Sequence, residues 1–402
     1  AYLPLANILH HKLRSLLSAL GVGMGICMLV TLSGLSRGSL NEIADRWEAV
    51  RADFIVFPRG LDTGAVTASG AMLHDRWAER IIEKHGDRVR RVVPVFAYPI
   101  RLAGQDQMAI GVEPGDLPLV TGGRRPRGRV FDPDGAFSKW IVSRVRDAPT
   151  DGPLVTVDKA ELSRPGRNGL EIVIDERLAR AGGYELGQTV RTADHTWTVV
   201  GIVPAGGLGR VYLPRRTAQF LFDDGSLAKS TFFFVLLATG ADADTARGAL
   251  AASIRPEVVP LDRYRGMLRA KFGIMYTYVD AVNAFALVIA FLFIMTMLYM
   301  TVLQQTREIA VLKSCGASNA FIVRQVLGEA ALVTAAGVAL GVGLSVLARW
   351  LIETLRPLLT VMITWQWIAI AAAAAAGGAV LSALLPAWRA TRVDMARALT
   401  AE

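Results

Sequence analysis

Four uncharged apolar runs, residues 15–36, 281–303, 330–348 and 365–388, interrupt an otherwise mixed pattern of hydrophobic and polar positions. At about 1.5 Å per residue, each is long enough to cross a hydrocarbon core of roughly 30 Å as a helix. The pattern therefore predicts four spanning helices with their flanks, at residues 15–36, 279–303, 326–349 and 365–388. A large stretch, residues 37–278, separates the first span from the second. Residues 304–325 and 350–364 are short connections, and residues 1–14 and 389–402 form a predicted amphipathic helix and a tail.

Inside residues 37–278 the period changes. Residues 53–58, 89–96 and 108–112 read as short strands, and Leu73, Trp77, Ile81 and Ile82 recur at helical spacing within residues 73–85. The same succession returns late, as a strand at 231–238, an alanine-rich helix at 242–254 opened by Asp242, and a strand at 257–261. Residues 53–114 and 231–261 thus predict two βαβ-like halves of one α/β subdomain. Residues 115–230, between them, begin rich in Gly, Pro and charge. They continue with short strands at 171–175, 189–191, 197–203 and 210–213, and with turns at Gly182-Gly183 and Gly206-Gly207. The expected fold class is an α+β membrane protein, with four transmembrane helices and a large α/β domain carrying an inserted β-rich subdomain.

Charge gives the arrangement a direction. The chain has 402 residues, 52% hydrophobic and 20% charged, with mean hydropathy +0.37 and a formal net charge of +9. Positive residues on short loops mark the cytoplasmic side, whereas long domains translocate largely regardless of charge. Lys12 and Arg14, then Arg307, Lys313 and Arg324, then Arg389, Arg392 and Arg397 fall on one side of the four spans. The connection at 350–364 has Arg356 against Glu353 and falls on the other side, together with residues 37–278. The large domain is expected to be extracytoplasmic, in a multi-pass protein of the bacterial cytoplasmic membrane. A secretory signal would also put Lys12 and Arg14 before an apolar run. This run, however, is longer than the usual core of about 7–15 residues and precedes no A-x-A site, so a retained span is expected.

Candidate chemistry is sparse. His10, His11, His74, His85 and His195 show no metal-ligand spacing, and the two cysteines, Cys27 and Cys315, lie outside the large domain. Gly34-Leu35-Ser36-Arg37-Gly38 matches G-x-S-x-G, but the serine ends a membrane span instead of a strand. No Gly-Lys dipeptide occurs, hence no phosphate-cradling loop of the G-x-x-x-x-G-K type; ATP, if used, is expected on another chain. Asp280 and Glu329 lie near span ends, where both are expected to reach the interface. Arg124, Arg125, Arg127 and Arg129 read as a solvated basic loop, with no block pointing to nucleic acid.

The connection after the second span is more specific. Residues 305–315 form an amphipathic segment ended by Gly316, which suits a left-handed cap, and Ser318 suits the N-cap of the next helix. Arg307-Glu308-Ile309-Ala310-Val311-Leu312-Lys313 with Gly316-Ala317-Ser318, Glu329, Gly337 and Gly341 resembles the coupling segment and third helix of MacB/FtsX-type ABC transporter permeases. The opening Ala6-Asn7-Ile8-Leu9-His10-His11-Lys12-Leu13-Arg14-Ser15-Leu16-Leu17 with Gly21 to Gly25 is similar to that family's amphipathic helix and first span. Leu385-Pro386-Ala387-Trp388-Arg389-Ala390 is similar to its closing segment, and Thr198-Val199-Val200-Gly201-Ile202-Val203 to a strand of its β-rich subdomain.

The resemblance implies a MacB periplasmic core-like domain and a non-catalytic permease subunit with no cofactor of its own. It implies a partner ABC ATPase dimer supplying ATP and Mg, and a second permease copy, identical or a sibling. It assigns ATPase coupling to Arg307, Glu308, Lys313, Gly316, Ala317 and Ser318. Gly21 and Gly25, and Gly337 and Gly341, stand at G-x-x-x-G spacing and permit close helix packing, within one subunit or between two. The function it implies is mechanotransmission: ATPase motion reaches the exported domain to move a hydrophobic molecule, lipid, lipoprotein or peptide. An adaptor or a lipoprotein would then be its periplasmic partner. The alternative is an FtsX-like scaffold that activates a cell-wall hydrolase.

Overall fold

The computed structural model describes residues 12–60, 71–131, 170–223, 228–304 and 316–391. The chain divides into two compact units, Asn41–Gly273 and the pair of segments Ala1–Leu40 and Ile274–Glu402.

Among its described residues the unit Asn41–Gly273 is built on a ten-stranded sheet, with Leu73–His74 and Lys229–Ser230 paired apart from it as a two-stranded one. Its first half contains β1 (Phe54–Phe57), β2 (Leu73–His74), α2 (Arg76–His85), β3 (Val89–Leu102) and β4 (Gln105–Val112); α1 is the helix Lys12–Glu48 that precedes them. Its last part contains β10 (Lys229–Ser230), β11 (Phe232–Leu237), α6 (Ala243–Ser253) and β12 (Glu257–Pro260). The spatial order β12, β1, β11, β3 is antiparallel throughout. The β1-α2-β3 and β11-α6-β12 crossovers each straddle a strand of the other, the interleaved βαβ arrangement of ferredoxin-like folds. Period-two alternation divides the apolar residues between two cores. Phe54, Val56, Phe233 and Val235 pack with Ala78, Ile81, Ala246 and Leu250 of the two crossover helices. Ile55, Phe57, Phe232 and Phe234 face the opposite core, with Tyr264, Leu268 and Trp47.

The β-rich part follows β4: α3 (Leu117–Val120), β5 (Arg127–Gly128), β6 (Glu171–Asp175), α4 (Glu176–Gly182), β7 (Thr189–Thr192), β8 (His195–Val203), β9 (Val211–Pro214) and α5 (Arg215–Phe222). It is not a separate sheet. β3 pairs with β11 from Val89 to Val95 and then with β4 from Phe96 to Leu102, so one long strand belongs to both halves. The sequence expectation ended this strand at Phe96, and the structure extends it by six residues, past Pro99. Pro cannot donate to a ladder, yet Pro99 sits opposite Met108 without interrupting the pairing. From β4 the path continues through β9, β6 and β8 to β5.

The other unit is helical. The part of α7 (Leu261–Gln304) that begins at Ile274, α8 (Asn319–Leu355) and α9 (Trp365–Thr391) join α1 up to Leu40. Among the described residues, Ser15–Glu48, Leu261–Ile289 and Val323–Leu355 are long and apolar enough to cross a membrane, and Trp365–Leu381 is a shorter apolar segment. The first two helices outrun the spans expected from the apolar runs: α1 continues beyond Ser36 to Glu48, and α7 starts at Leu261. Charge ends an apolar run, but only Pro, Gly caps or lost packing end a helix. The unit's core is made by Val22, Ile26, Leu29 and Val30 of α1 with Ala330 and Val333 of α8 and Ala371, Ala375 and Ala379 of α9.

Candidate coupling and transmission site

The corner that leads into α8 follows from two residues. Gly316 has φ +89°, a conformation that costs a residue with a Cβ, and Ser318 is extended at φ −70°, ψ 151°. The Ser318 hydroxyl accepts from the Phe321 amide at 3.3 Å and so satisfies one of the helix's unpaired N–H groups. Ala317, between them, packs against the helical core. The structure thus brings Gly316, Ala317 and Ser318 together in one tight turn. Arg307, Glu308 and Lys313 lie outside the described residues.

Further along α8, the glycines allow α1 to approach closely. A Cβ on Gly337 would stand 2.6 Å from Val22 Cβ, and one on Gly341 would stand 2.8 Å from Ile26 Cβ. The α1 glycine that meets them is Gly23, whose own Cβ would lie 3.2 Å from the Gly337 carbonyl oxygen. The expectation had named Gly21 and Gly25, of which Gly21 is buried and Gly25 half-buried. All four sides of this run are apolar, so spacing alone does not say which glycine faces α8.

At the other end of the helical unit, the G-x-S-x-G match acquires a packing role. The Met362 amide donates to the Gly34 carbonyl at 2.9 Å, and a Cβ on Gly38 would run into the Thr360 carbonyl oxygen. Gly34 and Gly38 are therefore the surface over which the connection between α8 and α9 passes. Between them Arg37 pairs with Asp280 and lies over the Trp367 ring, 5.0 Å from its centroid. Asp280, expected to reach the interface, is half-exposed and paired with Arg37. Glu329 departs from the expectation: it is buried, next to Ala330, on the face of α8 that enters the core.

The last turns of α1 belong to the unit Asn41–Gly273, and they are fastened there by charge. Glu42 accepts from Arg46 one turn later at 2.7 Å, from Arg210 at 2.7 Å and from Arg177 at 3.1 Å. Arg210 is also 3.8 Å from Asp175, the buried N-cap of α4, which accepts from the Leu178 amide at 2.7 Å. Burial pushes the Asp175 carboxyl up from its ordinary value against the pull of that amide and of Arg210. Burial also pushes the Arg210 guanidinium down, and the neighbouring Arg46 adds to this. Where α1 ends, Arg265 donates to the carbonyls of Trp47 (3.0 Å), Glu48 (3.3 Å) and Val50 (2.7 Å), and Arg269 pairs with Glu48. Sequence reading singled out none of these residues. Only the Glu42–Arg46 spacing was a local signal.

The basic loop separates into two kinds of residue. Arg124 donates to the Thr121 and Gly206 carbonyls at 3.1 and 2.9 Å, and Arg129 pairs with Glu171, so both hold the turn. Arg125 and Arg127 are exposed. Among the described residues no group of His, Cys, Asp and Glu is arranged to hold a metal.

Residues 15–253 match the family model described as MacB-like periplasmic core domain, and residues 281–395 match the one described as FtsX-like permease C-terminal. The chain belongs to the MacB/FtsX-type ABC permease family. Among curated relatives, this MacB-type chain is 24% identical over 411 residues to the macrolide export ATP-binding/permease protein MacB of Rhodopseudomonas palustris, covering 97% of this chain and 58% of the relative. It is 32% identical over 124 residues to the pyoverdine export ATP-binding/permease protein PvdT of Pseudomonas fluorescens, covering 30% of this chain and 18% of the relative. The chain thus spans about three fifths of the length of the MacB relative. Among solved structures, the periplasmic region of MacB from Actinobacillus actinomycetemcomitans aligns with a TM-score of 0.38 at 13% identity, over 55% of this chain and 95% of that one. The MacB-type chain is a membrane protein with an extracytoplasmic domain, and the first family match takes in α1 together with most of the unit Asn41–Gly273.

Proposed function

We propose that this MacB-type permease is the membrane subunit of an ATP-driven exporter in the bacterial inner membrane, and that it works by passing ATPase motion to its extracytoplasmic domain. The observation that carries this reading is the way α1 is held. One stretch of it is locked to α8 by Gly23, Gly337 and Gly341, and another is locked into the unit Asn41–Gly273 by Glu42 and Arg265. A helix held at two separate stretches is suited to carry displacement. The rigid Gly316–Ser318 corner at the start of α8 is the place for the input.

In this reading an ABC ATPase partner binds ATP and Mg and hydrolyses ATP, and its motion enters through Arg307, Glu308, Lys313 and the corner. A second permease copy completes the pair, and the cargo is a hydrophobic molecule, lipid, lipoprotein or peptide taken from the periplasm or outer leaflet. The names of the relatives, which join ATP-binding to permease and to export, support the partner and the direction.

Affinity purification of the solubilised chain at low salt, with mass spectrometry of what stays bound, tests the central consequence. Recovery of an ABC ATPase is expected, and its absence under gentle conditions overturns the reading. With that complex in hand, Gly316→Pro should leave assembly intact and abolish the dependence of export on ATP hydrolysis, because Pro cannot adopt φ +89°. Glu308→Lys should do the same by reversing a charge on the surface that meets the ATPase. Normal coupling in both variants would remove the corner from the mechanism.

A further inference from the structure

The unit Asn41–Gly273 has a cleft of about 560 Å³ with a cationic wall and an apolar floor. Arg51, Arg90 and Arg91 line it, against the single carboxylic residue Asp116. Asp116 is buried and engaged by Arg91 at 2.7 Å, which neutralises one charge and leaves two. Arg51 and Arg90 are exposed and enter no ion pair among the described residues.

Glycines shape the wall around these arginines. A Cβ on Gly115 would stand 3.6 Å from Arg91 Nη2, and one on Gly123, at φ +80°, would stand 3.9 Å from Arg51 Cζ. The Gly123 amide donates to the Pro118 carbonyl at 2.7 Å, so this part of the wall is hydrogen-bonded in place. Half-buried Leu119 and Leu236 supply the floor.

We propose that the cleft binds an oxyanion of the phosphate class carried by an amphiphilic molecule, with Arg51 and Arg90 holding the anion and Leu119 and Leu236 the adjoining apolar part. Two uncompensated guanidiniums match the roughly −1.5 to −2 charge of a phosphate monoester, and their planar forks suit its oxygens. A cationic or neutral ligand would leave both charges unanswered. The inference concerns equilibrium binding only, so it succeeds or fails independently of ATPase coupling.

The test is calorimetric titration of the full chain in nanodiscs of zwitterionic lipid, with three probes: inorganic phosphate, dihexanoyl phosphatidic acid and dihexanoyl phosphatidylcholine. Phosphatidic acid should bind at least tenfold more tightly than phosphatidylcholine. The Arg51→Ala/Arg90→Ala variant should lose at least tenfold of that affinity, while Arg125→Ala/Arg127→Ala, removing two equally exposed arginines of the same unit, should keep it. Phosphate binding as tightly as phosphatidic acid would retain the oxyanion site and overturn its apolar half. Absence of anion binding, or equal losses in the two double variants, would overturn the proposal.

Discussion

Gly337 and Gly343 stand less than two turns apart on α8 and differ in one respect. A methyl group at Gly337 would press on Val22 Cβ at 2.6 Å, whereas one at Gly343 would meet nothing within 4 Å. Overpacking of this kind costs about 1–3 kcal/mol. Gly337→Ala should therefore lower the thermal midpoint of the detergent-solubilised chain, and Gly343→Ala should not; equal behaviour would show that α1 and α8 do not pack as described. The sequence exposed Gly337 and Gly341 through their spacing but not their counterpart Gly23, because helical periodicity carries no direction in a run that is apolar all round. Gly34 and Gly38 were hidden for a different reason: what they accommodate is the backbone at Thr360 and Met362, more than three hundred residues away.

Among the elements, α6 shows how a single side chain sets a helix start and its pH dependence. Asp242 accepts from the Thr245 amide at 2.8 Å and from its hydroxyl at 2.5 Å, and these bonds hold its carboxyl below the ordinary carboxylate value. A lowered native pKa stabilises the fold at neutral pH, and the contribution is lost as the pH falls from about 4 through the lowered value. Asp242→Ala should thus melt below the wild type at pH 7, with the gap narrowing on acidification; a gap independent of pH would assign the effect to something other than the carboxylate. Elements of this kind were legible, since Asp242, the alanine run and the flanking strands lie together in the sequence. The junction of the two halves was not. β3 changes partner between Val95 and Phe96; β4 follows it directly across Ala103 and Gly104, but β11 comes only at Phe232–Leu237, so nothing local shows that the strand serves a second pairing. The ends of α1 and α7 were equally obscure, because the residues that hold them as helix are Trp47, Tyr264 and Leu268 in the sheet's own core.

For the molecule as a whole, the Glu42 network is the feature on which the proposed transmission depends most. Three guanidiniums converge on one carboxylate that is 18% exposed, and one of them, Arg210, is 7% exposed. Removing one partner of a buried pair costs about 3–5 kcal/mol, because the other charge is left without compensation. Glu42→Ala should therefore destabilise the unit Asn41–Gly273 and weaken the dependence of export on ATP hydrolysis, while the ATPase remains bound. Loss of ATPase binding in this variant would mean that the network has a different role. The general plan was readable from sequence because apolar runs, loop charge and the Arg307 to Ser318 segment are continuous signals. The Glu42 network was not, since its members are contributed from residues 42 to 210.

The interleaved sheet also governs how the domain is made. β1 is paired on both sides, with β11, where Phe54 lies opposite Val235, and with β12, where Phe54 lies opposite Pro260. Both neighbours are synthesised near the far end of the domain. Until Leu237 has emerged, Phe54–Phe57 remains an apolar strand with two open edges, and one edge stays open until Pro260 follows, the kind of segment that recruits other chains. Pairings this distant in sequence also form slowly. The cell therefore has to deliver the domain whole and guard its first strand throughout, which makes export of the nascent chain the vulnerable period in the life of this protein.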